Sequence, residues 1–158
     1  MTARGKPSFT FGIEEEYFLV DPRTRALISE PPRSMLDECR AKLGGNVSAE
    51  YQRSQIEVAT RICTHTANAR DHLADLRSGI AGIARRHGLA PIAASTHPFT
   101  RWRTQRHTDK QRYKAIADDL KGVGRRMVVG GMHVHVGIDD GCSPCLRPRR
   151  SGKARIQG

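Results

Sequence analysis

No acidic residue follows Asp140 in this 158-residue chain. From Gly141 to Gly158 there is no apolar periodicity either, so no helix or strand is expected there. Aromatics are scarce, at 5% with a single tryptophan, and no stripe of arginine interleaves with them in the way that stacks on nucleic-acid bases. No apolar run approaches the roughly 18 residues that would cross a membrane. Basic residues open the chain without an apolar signal core behind them, so the reading is a cytoplasmic protein with no membrane partner. Four cysteines make no disulfide framework in a chain of this kind. Cys39 and Cys63 sit in apolar-periodic segments and read as small, partly buried side chains. Cys142 and Cys145 form a lone C-x-x-C without the second ligand pair that zinc needs.

The net charge of +11 is unevenly spread. Residues 1–140 carry 22 Lys/Arg against 16 acids, and residues 141–158 add five more basic residues. The body's basic residues are scattered, which suits a solvated surface or an anionic small molecule better than nucleic acid. The expected organisation is one domain over 1–140, long enough to bury about 68–70% of its unfolded surface, and a basic tail over 141–158. That tail is expected to be disordered or the product of a shifted reading frame.

Residues 9–20 alternate as a strand, with Phe9, Phe11, Ile13, Glu15, Tyr17 and Leu19 on one face and Glu14 and Glu16 on the other. A return strand is expected at 26–29, then a short helix capped by Ser34 that runs to Leu43 and stops at Gly44-Gly45. Residues 47–60 read as a strand or strand pair. Thr66 is the expected cap of the clearest helix, in which Leu73, Leu76, Ile80, Ile83 and His87 form one stripe before Gly88 stops it. A strand at 89–95, a second helix at 109–121 and a last strand at 126–138 complete the pattern. Strands and helices do not alternate as βαβ units, so the fold class is α+β with a largely antiparallel sheet.

Chemistry concentrates in a few places. Glu14 and Glu16 share a face of an apolar strand with backbones about 7 Å apart, an arrangement of like charges that a divalent cation relieves. Oxygen-only ligands favour Mg²⁺ or Mn²⁺ over Zn²⁺. Glu57 lies with Gln55 on the polar face of the next strand, and Glu50 joins that face only if no bulge intervenes. His133 and His135 share a strand face beside Gly131 and Gly137, which leaves room for a ligand to approach. Arg101 and Arg112 are candidates for binding carboxylate or phosphate. No residue is assigned as acid, base or nucleophile.

Taken together, Phe11-Gly-Ile-Glu-Glu-Glu-Tyr17, Ser54-Gln-Ile-Glu57, Thr96-His-Pro-Phe99, Arg112-Tyr113 and Gly131-Met-His-Val-His-Val-Gly137 resemble, in order, the bacterial carboxylate–amine ligases, also called type-2 glutamate–cysteine ligases. The resemblance covers roughly residues 8–140. It implies part of a glutamine-synthetase-like fold, in which an antiparallel sheet curls into a funnel around ATP, metal ions and the acid substrate. It also implies ATP and Mg²⁺ (or Mn²⁺) as cofactors, with glutamate and cysteine or another amine as substrates. The product would be γ-glutamylcysteine, formed through an acyl phosphate in glutathione biosynthesis. Open sheet edges would allow a homo-oligomer. Metal ligands would fall on Glu14, Glu16 and Glu57, with Glu50 matching less closely. His133 would lie near metal or phosphate, and His135, Arg112 and Arg101 would contact substrate or nucleotide.

Family members run to more than twice this length, so this chain is expected to be a truncated form, inactive alone. Two other readings compete. A metal-dependent hydrolase would use His133, His135 and Asp139 or Asp140. A basic nucleic-acid-binding protein would use the 141–158 tail, with a steep salt dependence.

Overall fold

A computed structural model describes residues 9–109 and 128–138. The centre of the fold is β1 (Thr10–Val20), whose eleven residues are long enough to serve three partners. On one edge it pairs antiparallel with β3 (Gln55–Ala59), which in turn pairs with β2 (Val47–Ala49). On the other edge two short strands lie end to end. β5 (Met132–Gly137) pairs with Thr10 through Glu15, and β4 (Ala90–Ile92) pairs with Phe18 through Val20. Among the described residues every ladder is antiparallel and two helices accompany the sheet, so the class is α+β, as the sequence pattern indicates.

Those helices are α1 (Arg33–Leu43) and α2 (Thr66–Arg86). They cover one face of the sheet, because the odd-numbered residues of β1 are mostly apolar and must leave water. Tyr17, Leu19, Ile56 and Val58 from the strands meet Met35 and Cys39 of α1 and Leu76, Ile80 and Ile83 of α2. Gly79 lets the helices close on each other, since a Cβ there would stand 2.6 Å from Leu43 Cδ2. Cys39 and Cys63 are fully buried free thiols rather than partly buried ones. Among the described residues no helix is long and apolar enough to cross a membrane.

Several boundaries differ from the sequence pattern. Residues 26–29 form no strand. A single bridge joins Leu27 to Val20, because the turn from Asp21 is held by side-chain bonds instead. Asp21 Oδ1 accepts the N–H groups of Arg23 and Thr24 at 2.8 and 2.9 Å, and Arg25 adopts a positive φ of 62°. Ser34 does not cap α1: the N-cap is Pro32, and the Met35 N–H bonds to the Pro32 carbonyl. The N-cap of α2 is His65, not Thr66, and neither cap makes a side-chain hydrogen bond to the helix. Gly88 does end α2, with a φ of 70° that favours glycine. His87 leaves the core stripe to meet Glu38, Nε2 to Oε1 at 3.2 Å. β4 and β5 are shorter than 89–95 and 126–138. Beyond Asp109, the helix expected at 109–121 lies outside the described residues, as does the 141–158 tail.

Candidate metal-binding face

Period-two alternation sends the even residues of β1 to the face opposite the helices. Register then decides what they meet. Glu16 is directly opposite Glu57, and Glu14 is opposite Ala59 on one side and His133 on the other. Gly12 is opposite His135, so both histidines share this face with Glu14 and Glu16. Ser48 of β2 is opposite Glu57, and two residues later Glu50 returns to the same face beyond the end of the strand.

The result is a cluster of three carboxylates, Glu16, Glu50 and Glu57, whose oxygens lie within 4.8 Å of one another. Each is held by a neighbour at its side chain or backbone. Ser48 Oγ donates to Glu57 Oε1 at 2.8 Å, and the Gly131 N–H donates to Glu16 Oε2 at 3.1 Å. Thr108 Oγ1 donates to the Glu50 carbonyl, and the Thr108 N–H donates to the Tyr51 carbonyl at 2.8 Å, so the 107–109 segment staples the turn that presents Glu50. Burial first, then the Glu50 and Glu57 charges, pushes the Glu16 carboxyl above its ordinary value. Crowded carboxylates of this kind are relieved by a cation or a proton.

Glu14 stands outside that cluster. Its Oε2 lies 2.9 Å from His135 Nε2 and 3.7 Å from His133 Nδ1. The sequence placed Glu14, Glu16, Glu50 and Glu57 together; the structure divides them into a three-carboxylate group and a Glu14–His133–His135 group. A groove of about 380 Å³ opens beside Glu16, lined by Ala93, Ala94, Ser95, Gly130, Gly131 and Met132 together with Glu15. A larger groove of about 490 Å³ lies between α1, β2 and residues 108 and 109, and none of the cluster lines it.

Arg101 is exposed ahead of the 3₁₀ turn Trp102–Thr104 and takes no part in either group. Arg112, Asp139 and Asp140 lie outside the described residues. Among the described residues, the carboxylate that meets the histidines is Glu14. His97 of the Thr96–Phe99 segment turns away from the acids. Its Nε2 donates to the Arg25 carbonyl at 3.0 Å, and its ring packs edge-on to Phe18 and Phe99.

Sequence reasoning placed Glu15 on the helix side without giving it a role. It is 6% exposed and is gripped by Arg77 of α2. Arg77 Nε donates to Glu15 Oε2 at 2.9 Å, Arg77 Nη2 donates to Oε1, and the Tyr17 hydroxyl donates to Oε2. Burial alone raises the Glu15 carboxyl. The Arg77 and Tyr17 hydrogen bonds and the Arg77 charge outweigh it, leaving Glu15 below its ordinary value. Burial and then the bond to Glu15 push the Tyr17 hydroxyl up to about 12. The available signal for Arg77 was a cation one helical turn after Leu73, on the edge of the apolar stripe.

Three further carboxylates near the surface are also held low. Arg53 lowers Glu30, Arg86 lowers Glu38, and the Thr24 and Arg23 amides lower Asp21. A carboxylate depressed in the folded state stabilises it above the unfolded value and loses that contribution as pH falls through the folded one. Glu16, raised, works in the opposite sense. The melting temperature should therefore hold near neutrality and drop below about pH 5. A melting temperature unchanged down to about pH 3 would contradict the lowered values of Glu15, Asp21, Glu30 and Glu38.

The sequence profile of glutamate–cysteine ligase family 2 matches residues 10–144. A Rhodospirillum rubrum protein provisionally named glutamate–cysteine ligase 2 is 50% identical over 139 residues, covering 85% of this chain and 36% of the relative. A Paracoccus denitrificans protein of the same provisional name is 49% identical over 135 residues, with the same two coverages. The chain thus spans about a third of the length of these relatives. In structure it is similar to Francisella tularensis glutamate–cysteine ligase, crystallised in complex with AMP. The TM-score is 0.66 at 13% identity, over 85% of this chain and 28% of that one. A bifunctional glutathione synthetase from Pasteurella multocida gives a TM-score of 0.62 at 15% identity, over 84% of this chain and 17% of that chain. At such identities the likeness is one of fold.

Proposed function

Because the chain belongs to glutamate–cysteine ligase family 2, we propose that it forms the metal-binding wall of an ATP-dependent carboxylate–amine ligase. The observation that carries this reading is the convergence of Glu16, Glu50 and Glu57 from three separate segments to within 4.8 Å. An all-oxygen donor set of crowded carboxylates fits Mg²⁺, with Mn²⁺ as a substitute. Such a cation, when bound, neutralises triphosphate oxygens and the charge of the transferring phosphoryl group.

The chain's own residues have distinct tasks in this proposal. Ser48 and the Gly131 N–H each occupy one oxygen of Glu57 and Glu16, which leaves the other oxygen of each for the cation. Glu14 orients His133 and His135, which can donate hydrogen bonds to the anionic substrate or to phosphate. Gly131 keeps that approach open, since an added Cβ would stand 3.7 Å from the His133 ring, whereas Gly137 makes room for Thr10 of β1. The reaction proposed is phosphorylation of the glutamate γ-carboxylate, followed by displacement of phosphate by the cysteine amine, in the cytoplasm. Catalysis would also require residues that the relatives carry beyond the matched third, so this chain alone is proposed to be inactive.

The test is a chimera in which residues 10–138 replace the matching segment of the Rhodospirillum rubrum relative. It should form γ-glutamylcysteine with consumption of ATP. A folded chimera without ATP-dependent ligation, beside an active parent, would overturn the proposal.

A further inference from the structure

We propose that Glu15, Arg77 and Tyr17 form a positioning clamp on the helix side of β1, which sets the directions in which Glu14 and Glu16 leave the opposite face. The inference rests on the metal-binding reading of that face. Glu14 and Glu16 flank Glu15, yet they serve different groups: Glu14 meets His135, while Glu16 meets the Gly131 N–H and the Glu50–Glu57 pair. A small rotation of the strand at Glu15 would swing both carboxylates at once.

On the β3 edge β1 is paired without a break from Glu14 to Phe18, but its other edge is interrupted here. Along one edge of β1 the ladder with β5 ends at Glu15, and the ladder with β4 begins only at Phe18. Glu16 and Tyr17 lie between the two, where the Glu16 N–H bonds to the Gly131 carbonyl at 3.0 Å outside either ladder. Arg77 spans the interruption from behind. Its Nε reaches Glu15 Oε2 at 2.9 Å and the Tyr17 hydroxyl at 3.1 Å, and its Nη2 takes the other Glu15 oxygen. Tyr17 closes the triangle by donating to Glu15. A planar guanidinium that grips a carboxylate with two bonds fixes its orientation as well as its distance.

Stability alone explains the clamp poorly, because the Arg77 side chain is 54% exposed although Glu15 is buried, and an ion pair screened in this way contributes little. The surrounding core is already built from Ile80, Ile83, Leu76, Ile56 and Val58. What an apolar trio could not supply is the angular restraint. The three residues are positioning residues, since none of them lies among the acids and histidines of the opposite face.

The experiment is a Mn²⁺ titration of the full chain followed by electron paramagnetic resonance, with the melting temperature of each variant. The variants are Arg77→Met, Arg77→Lys, Tyr17→Phe and, as a control for lost packing, Leu76→Ala. Arg77→Met should weaken Mn²⁺ binding by about tenfold, as loss of an outer partner of a metal site does. Arg77→Lys should weaken it nearly as much, because a point donor cannot remake the fork, and Tyr17→Phe should weaken it less. Leu76→Ala should lower the melting temperature at least as far and leave Mn²⁺ affinity at the parent value.

Should Arg77→Met fail to fold, Arg77→Lys and Tyr17→Phe carry the comparison. The clamp is refuted by Arg77 variants that bind Mn²⁺ like the parent, or by Leu76→Ala weakening binding equally. A parent chain that binds no Mn²⁺ refutes the metal reading and the clamp together, so the two failures are distinguishable.

Discussion

Glu57→Gln should lower the Mn²⁺ affinity of the chain by about a hundredfold, the upper end of what even outer partners of a metal site command. The amide has the same shape and can still accept from Ser48 Oγ, which now bonds to Glu57 Oε1 at 2.8 Å. What disappears is one negative charge from a set of three whose oxygens lie within 4.8 Å. Glu16→Gln should act similarly, because its Gly131 contact is also retained by an amide oxygen. Glu14→Gln should cost less, since that carboxylate already faces His135 at 2.9 Å. Titration calorimetry with a melting curve for each variant measures the order. Equal affinities for the parent and Glu57→Gln would remove the carboxylate cluster from the account.

The second large effect concerns stability. Phe18 is fully buried, although it lies on the same side of β1 as Glu14 and Glu16. It is covered by the edge of the His97 ring, 6.5 Å away between centroids, and by Gly130, where an added Cβ would stand 3.3 Å from Phe18 Cε2. Phe18 therefore closes the end of the acidic face and ties β1 to the segments beside it. Phe18→Ala should cost about 3–5 kcal/mol, against a total stability of about 5–15 kcal/mol for a domain. Urea unfolding should show a much lower midpoint at an unchanged slope. A loss below about 1 kcal/mol would mean that Phe18 is not packed as described.

The two faces of β1 were legible because alternation has a period of two and the residues obey it. That Glu14 and Glu16 share one face of their strand, and His133 and His135 one face of theirs, followed from that rule; that Glu16 meets Glu57 depends on register. Glu50 was less legible: parity could join it to Glu57 only along one unbulged strand, whereas it lies beyond the end of β2, in the turn before β3. The division of the acids was not readable. Whether Glu14 turns to Glu16 or to His135 depends on the register between β1 and β5, strands more than 100 residues apart. Arg77 and Glu15 are 62 residues apart, and no local pattern links a helix cation to a strand carboxylate. Ser34 and Thr66 looked like helix caps by residue type, yet the caps fall two residues earlier for α1, at Pro32, and one earlier for α2, at His65. The return strand at 26–29 was lost to the Asp21 turn, whose side-chain bonds outcompete a ladder.

The central claim is that Glu16, Glu50 and Glu57 hold one divalent cation. Anomalous diffraction from crystals of the full chain grown with Mn²⁺ tests it most directly. A manganese peak should appear in contact with a carboxylate oxygen of each of the three. No peak at saturating Mn²⁺, or a peak only at other residues, would contradict it.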